Sequence, residues 1–192
     1  LAWWRNNMQI LVLDNFADEY AKHLKKDFPQ LTVHTAKRIA DLTVPLESID
    51  VLVAFGIAIN NDLLAGLTNL KWVQSLATGT DHFTNSPAFR SDVVLTSARG
   101  IHGAPMRETV TLLMLGLARN MRRIMANQFD HTWERVGPWT LLEGKTAVLV
   151  GVGVSSSAIA HLLKAYGMRV IGVSGTPRVE AGFDEVRSRK EL

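Results

Sequence analysis

The stretch with the most chemical potential runs from Lys145 to Arg178. Thr146-Ala147-Val148-Leu149-Val150 reads as a buried strand, and it feeds Gly151-Val152-Gly153-Val154-Ser155-Ser156. Ser157 to Tyr166 read as a helix with Ile159, Leu162, Leu163 and Tyr166 as apolar anchors, and Gly167 fits its stop. Met168-Arg169-Val170-Ile171-Gly172-Val173 is the next strand. A glycine turn between a strand and a helix has a chemical use. The helix start offers unpaired N–H groups and a positive dipole end, which attract an anion such as the pyrophosphate of a dinucleotide. Gly151 permits the tight turn, and Gly153 leaves no side chain in the path of the phosphate. The third position, where glycine lets helix and strand pack closely, holds Ser156. The alternative is a β-α-β unit whose glycine turn binds nothing.

The end of the second strand commonly carries an acid for the adenosine ribose, about 20 residues after the loop. Here Val173-Ser174-Gly175-Thr176-Pro177-Arg178 holds no carboxylate. Ser174 and Thr176, either side of Gly175, offer hydrogen bonds to a 2′-phosphate, and Arg178 offers a charge pair. The reading therefore favours NADP over NAD. A solvated loop charge is the alternative for Arg178.

These residues need a scaffold, and the rest of the chain alternates strand and helix patterns. Strands are expected at residues 9–14, 31–34, 49–55, 72–76 and 93–96. Residues 17–28 read as an amphipathic helix with Tyr20, Leu24 and Phe28 on one face, and a short helix is expected at 62–67. Alternation of this kind argues for a mostly parallel sheet covered on both faces. The Gly- and Pro-bearing stretch from Ser97 to Pro105 reads as a hinge between two lobes. A long helix over about 105–125 is expected to bury Val110, Leu113, Met114, Leu117 and Met121 as one stripe. Residues 126–142, with Trp133 and Trp139, read as irregular.

Composition narrows the classes. Of 192 residues, 47% are hydrophobic and 20% charged, as in an ordinary globular protein. With no Cys, a disulfide scaffold, an iron–sulfur site and thiol catalysis are excluded, and a cytoplasmic setting is compatible. No apolar run is long enough to span a membrane. The net charge of +3 is too small and too dispersed for a nucleic-acid binder. Its densest cluster, Arg119, Arg122 and Arg123, is expected at a helix C-terminus, where cations complement the dipole. No His/Asp/Glu grouping has metal-ligand spacing. Residues 1–7, before the first Met at position 8, read as an extension rather than a signal peptide.

Three segments together resemble the D-isomer-specific 2-hydroxyacid dehydrogenase family, and the similarity covers nearly the whole chain. They are Leu70 to Asp81; Ser97 to Glu108 with the helix that ends Leu117-Ala118-Arg119-Asn120; and Leu142-Glu143-Gly144-Lys145-Thr146 leading into the glycine loop and on to Met168. The resemblance implies two α/β domains flanking a cleft. These are a flavodoxin-like N-terminal substrate domain (1–98) and an incomplete Rossmann-type dinucleotide-binding domain (99–192). It implies hydride transfer between NAD(P)H and the C2 carbon of a 2-oxo or D-2-hydroxy acid. It also implies that backbone N–H groups around Thr78, Gly79 and Thr80 hold the substrate carboxylate, as turn amides can. Phe55 and Gly56 would line the same cleft, and Thr109 would approach the cofactor. Family members resemble dimers built on the 105–142 region, and two exposed Trp there suit a subunit contact.

The departures are as informative. Ser155-Ser156 replaces the usual apolar–Gly pair, and Arg107 stands where a small residue is common. The family's catalytic Arg, Glu and His follow the second strand of the cofactor domain, and no residue up to Leu192 matches them. Of the six histidines, only His82 and His102 adjoin cleft-like turns. A mononucleotide-binding half needs three parallel strands, whereas only two are read after residue 144, followed by the polar stretch from Val179. The expectation is an incomplete dehydrogenase whose chain lacks catalytic residues. The competing reading is a non-catalytic dinucleotide-binding or interaction module of the same fold.

Overall fold

A computed structural model describes residues 8–191. The extension expected at residues 1–7 lies outside the described residues. The chain divides into two compact units, one ending at Arg99 and the other beginning at Gly100.

The first unit is built on one five-stranded parallel sheet. Its strands are β1 (Gln9–Leu13), β2 (Thr32–Ala36), β3 (Val51–Ala54), β4 (Trp72–Ser75) and β5 (Val94–Ser97), in the order β2-β1-β3-β4-β5. That is the flavodoxin-like order, with its switch point between β1 and β3. Period-two alternation decides the packing. Leu11 and Leu13 face one side with Leu52, Val73 and Phe83, while Ile10 and Val12 face the other with Ala17, Ala21 and Val51. Both faces are covered, as a parallel sheet requires. Each fully buried Leu contributes about 1.5–3 kcal/mol relative to exposure.

The helices of this unit are α1 (Ala17–Asp27), α2 (Asn61–Gly66) and α3 (Asp81–Thr84). The expected apolar face of α1 needs correction. Ala17 and Ala21 are its buried residues, and Leu24 packs beside them, but Tyr20 and Phe28 are exposed. Small residues let the helix lie close to the sheet, so the large aromatics fall outside the contact.

The second unit holds a three-stranded parallel sheet of β6 (Thr146–Val150), β7 (Arg169–Ser174) and β8 (Glu185–Ser188), ordered β6-β7-β8. Its helices are α4 (Gly103–Ala118), α5 (Met121–Phe129) and α6 (Val154–Ala165). Four sequence expectations are overturned here. First, a third strand exists. Polar Glu185-Val186-Arg187-Ser188 pairs with β7, which supplies a ladder that hydrophobicity alone did not announce. Second, β6 is an exposed edge strand, with Val148 and Val150 52% and 71% exposed, so the expected burial does not hold. Third, the single helix over 105–125 is two helices, and α5 carries helical structure to Phe129. Asn120 takes a left-handed conformation (φ 52°, ψ 45°), which Asn tolerates, and ends α4. Arg122 and Arg123 therefore open α5 rather than close α4. Fourth, α4 buries no residue fully. Val110 and Met114 pack on Ile159 and Leu163 of α6, but Leu113 and Leu117 are exposed.

Two carboxylates fasten the irregular segments of this unit. Glu134 accepts from Arg123 Nε at 2.9 Å and from the buried Asn127 amide at 2.8 Å, which anchors the chain after α5. The Asn127 hydrogen bond, then Arg123, holds the Glu134 carboxyl below the usual carboxylate range. Asp184, just before β8, accepts from Lys164 Nζ at 2.7 Å and from the Val170 amide at 2.7 Å. The Lys164 bond first, then the Val170 amide, holds its carboxyl below the usual range. A carboxylate lowered on folding stabilises the fold above its unfolded pKa, and that contribution fades as pH falls through the folded value. Asp184→Asn is thus expected to lower the thermal midpoint at neutral pH. The deficit should shrink as pH drops below about 4, the unperturbed Asp range. Circular-dichroism melts of both proteins from pH 7 to pH 3 check this, and a deficit that stays constant with pH would contradict it.

Candidate functional site

In the second unit the chain leaves β6 through Gly151, whose φ of +91° is open to glycine and costly for other residues. The Gly151 amide donates to Val173 O at 2.8 Å, which ties the turn to the end of β7. Gly153 is the N-cap of α6, and no side chain caps that helix. A Cβ placed on Gly151 or Gly153 would meet nothing within 4 Å. The turn therefore presents open space in front of an uncapped helix start, and its residues fit a pyrophosphate group. The helix begins at Val154, so Ser155 and Ser156 occupy its first turn instead of the loop expected to precede it. On β7 the close approach is made by the turn and by the segment before β8. A Cβ on Gly172 of β7 would sit 2.7 Å from Val152 Cγ2 and 2.9 Å from Phe183 Cδ1.

Ser174 ends β7, and Gly175, Thr176 and Arg178 follow it at the strand's C-terminal end. Arg178 is a tethered charge. Its Nη2 donates to Val152 O at 2.6 Å, so the guanidinium is held against the glycine turn. It also pairs with Glu180, a carboxylate two residues past the Val173–Arg178 stretch. Thr109 stands on the exposed side of α4, where its hydroxyl donates to Pro105 O at 2.9 Å, within its own helix.

In the first unit, β3 and β4 pair with Ala54 opposite Ser75, so the chain leaves both strands side by side. Phe55 is 40% exposed, and the buried Gly56 opens a 3-10 turn. His82 of α3 lies on that glycine, since a Cβ there would come within 2.8 Å of His82 Cβ. Ser75 is fully buried. Its hydroxyl accepts from the Ala77 amide at 3.2 Å and reaches the Ala77 and Gly79 carbonyls at 3.2 and 3.3 Å. This serine, passed over in the sequence, shapes the Thr78-Gly79-Thr80 turn. Phe55, Gly56, Thr78, Gly79 and Thr80 thus gather at the carboxyl end of one sheet, where α/β folds place ligands. Asp81 borders the turn, with Oδ2 3.9 Å from a Cβ on Gly79. His102 sits at the N-cap of α4 in the second unit. Among the described residues no group of three or more His, Asp or Glu could hold a metal ion. Among the same residues no helix is long and apolar enough to cross a membrane.

Residues 10–132 match the sequence model for the catalytic domain of D-isomer specific 2-hydroxyacid dehydrogenases, and residues 111–191 match that for the NAD binding domain. The chain belongs to this family. An erythronate-4-phosphate dehydrogenase of Shewanella sediminis is 32% identical over 167 residues, which are 86% of this chain and 38% of that protein. A D-3-phosphoglycerate dehydrogenase of Methanocaldococcus jannaschii is 26% identical over 86% of this chain and 32% of its own length. The chain thus spans about a third of the length of these relatives. A family crystal structure from Aeromonas salmonicida superposes with a TM-score of 0.87 at 31% identity, over 96% of this chain and 59% of that one. The NADPH-dependent glyoxylate/hydroxypyruvate reductase of Sinorhizobium meliloti, solved with NADP and sulfate, gives 0.74 at 26% identity, over 96% and 57% of the two chains.

Proposed function

We propose that this chain supplies the phosphate loop and the substrate-carboxylate turn of an oxidoreductase. That enzyme transfers a hydride between NAD(P)H and a small 2-oxo or D-2-hydroxy acid. The observation that carries the reading is the glycine turn at the uncapped start of α6, inside residues that match an NAD binding domain. The nicotinamide dinucleotide would supply or accept the hydride. Gly151 to Ser156 would hold its pyrophosphate by backbone N–H groups and the helix dipole. Residues 1–98 would serve the substrate and 99–192 the dinucleotide. Amides around Thr78, Gly79 and Thr80 would take the substrate carboxylate, with Phe55 and Gly56 beside them and Thr109 toward the cofactor. NADP is favoured over NAD because Arg178 is held against the loop with Ser174 and Thr176 nearby. The Sinorhizobium neighbour, solved with NADP, supports this. The family's acid–base His, with its Arg and Glu, follows the second cofactor strand in the resemblance, so no catalytic role is assigned to any residue of this chain. The reading places the protein in the cytoplasm. Titration of the chain with NADPH and NADH, followed by fluorescence, tests it. Saturable binding with NADPH preferred is expected, and no binding of either dinucleotide would refute it.

Self-association through residues 105–142 belongs to the same proposal. Leu117, Phe129 and Trp133 are 84%, 88% and 95% exposed in one unit. Large apolar side chains left in solvent along one segment suit a subunit contact. Sedimentation at tens of micromolar is expected to show a dimer, with Leu117→Glu shifting it to monomer. A monomeric wild-type chain would contradict the assignment.

A further inference from the structure

Arg178 and Glu180 form a pair whose geometry bears on which dinucleotide the site prefers. Arg178 Nε donates to Glu180 Oε2 at 3.0 Å, Nη2 donates to Val152 O at 2.6 Å, and Nη1 reaches Ser174 Oγ at 3.5 Å. The other carboxylate oxygen, Glu180 Oε1, accepts from Ser157 Oγ of α6 at 3.4 Å. The pair borders a surface hollow of about 400 Å³ that Pro177 and Phe183 also line. A guanidinium carries five N–H donors. The Val152 carbonyl holds it against the loop independently of Glu180, and part of the fork remains available to an anion.

We infer that Glu180 is the specificity-determining residue that limits the preference of this site for a 2′-phosphate over a 2′-hydroxyl. The inference rests on the dinucleotide reading above. A 2′-phosphate drawn to Arg178 approaches a cation already paired with a carboxylate. Two effects of that carboxylate compete. It orients the guanidinium, and it repels the incoming dianion. Orientation is the weaker effect, because the side chains are 43% and 30% exposed and exposed pairs gain little from their geometry. The Val152 carbonyl also supplies a second tether. Repulsion between a carboxylate and a doubly charged phosphate a few ångströms apart acts directly, even in a high-dielectric setting. A 2′-hydroxyl feels neither force strongly. Glu180 thus lowers phosphate affinity while leaving the hydroxyl form nearly untouched, and so narrows the gap between NADP and NAD.

Calorimetric titration of the 192-residue chain with adenosine 2′,5′-bisphosphate and with adenosine 5′-monophosphate tests this. Glu180→Gln keeps an acceptor oxygen for Arg178, turns its amide N–H toward the Ser157 hydroxyl, which can accept, and removes the charge. It is expected to bind the bisphosphate roughly three- to ten-fold tighter and the monophosphate unchanged, with the gain shrinking as salt is raised. Glu180→Asp keeps the charge and should hold the wild-type ratio, which separates charge from local misfolding. Arg178→Gln should weaken the bisphosphate selectively. If Arg178→Gln behaves so but Glu180→Gln weakens the bisphosphate, or moves both nucleotides equally, or moves neither, the role given to Glu180 is overturned while the dinucleotide reading stands. If the wild-type chain binds neither nucleotide, the dinucleotide reading itself fails and takes this assignment with it.

Discussion

Mixed with NADPH and glyoxylate or hydroxypyruvate, the purified 192-residue chain is expected to give no turnover above background. Reduction of a 2-oxo acid needs a proton donor at the C2 oxygen and a cation that fixes the substrate. The family resemblance puts both beyond the second cofactor strand. Three of its six histidines have defined contacts. His34 shares a 2.7 Å hydrogen bond with Gln9 Oε1 on the neighbouring strand. His161 packs beside Gly182, where a Cβ would lie 3.3 Å from its Nδ1. His82 covers Gly56. General acid–base help is worth roughly 10²–10⁴-fold. Charge stabilisation at the developing oxyanion adds about 10²–10³-fold. Losing both takes an ordinary rate below detection. The check is absorbance at the nicotinamide band, on protein whose intact mass matches the 192-residue sequence. Rates typical of a dehydrogenase would sink the assignment and make His82 and His102 the first residues to replace.

Gly153→Asp is expected to abolish dinucleotide binding without loss of stability. The backbone there is extended (φ −138°), so an L-residue is tolerated, and a Cβ meets nothing within 4 Å. Asp is among the preferred N-cap residues, and α6 has no side-chain cap, so the helix should gain slightly from the change, by roughly a few tenths of a kcal/mol. The new carboxylate would accept the amides that otherwise face the pyrophosphate, and it adds like charge a few ångströms from that anion. On an effective dielectric near 20, repulsion of this kind amounts to several kcal/mol, a loss on the order of 10²-fold or more in affinity. Titration with NADPH beside a thermal melt reads both effects. Retained binding would show that the anion lies elsewhere, and a lowered midpoint would show that Gly153 matters for packing instead.

Much of this was open to the sequence because it rests on local physics. Short apolar runs at β1, β3 and β4, the glycine turn after β6 and the left-handed Gly167 (φ +71°) after α6 are each set by a few adjacent residues. The family segments add order and spacing. What the sequence alone could not decide depended on neighbours distant in the chain. The strand at Glu185–Ser188 is polar, and it exists because β7 offers a ladder and Asp184 fastens its entry to Lys164 and Val170. Residues of β6 apolar enough for a core stand at an exposed edge, because burial depends on what pairs with a strand as well as on its composition. The stripe on α4 is helical, but Asn120 breaks it, and only Val110 and Met114 find partners on α6. By itself Arg178 reads either as a charge partner for a 2′-phosphate or as a solvated loop charge. Its place against the Val152 carbonyl exists only once β7 and the glycine turn lie side by side, since a side-chain contact across 26 residues is a property of the fold rather than of spacing.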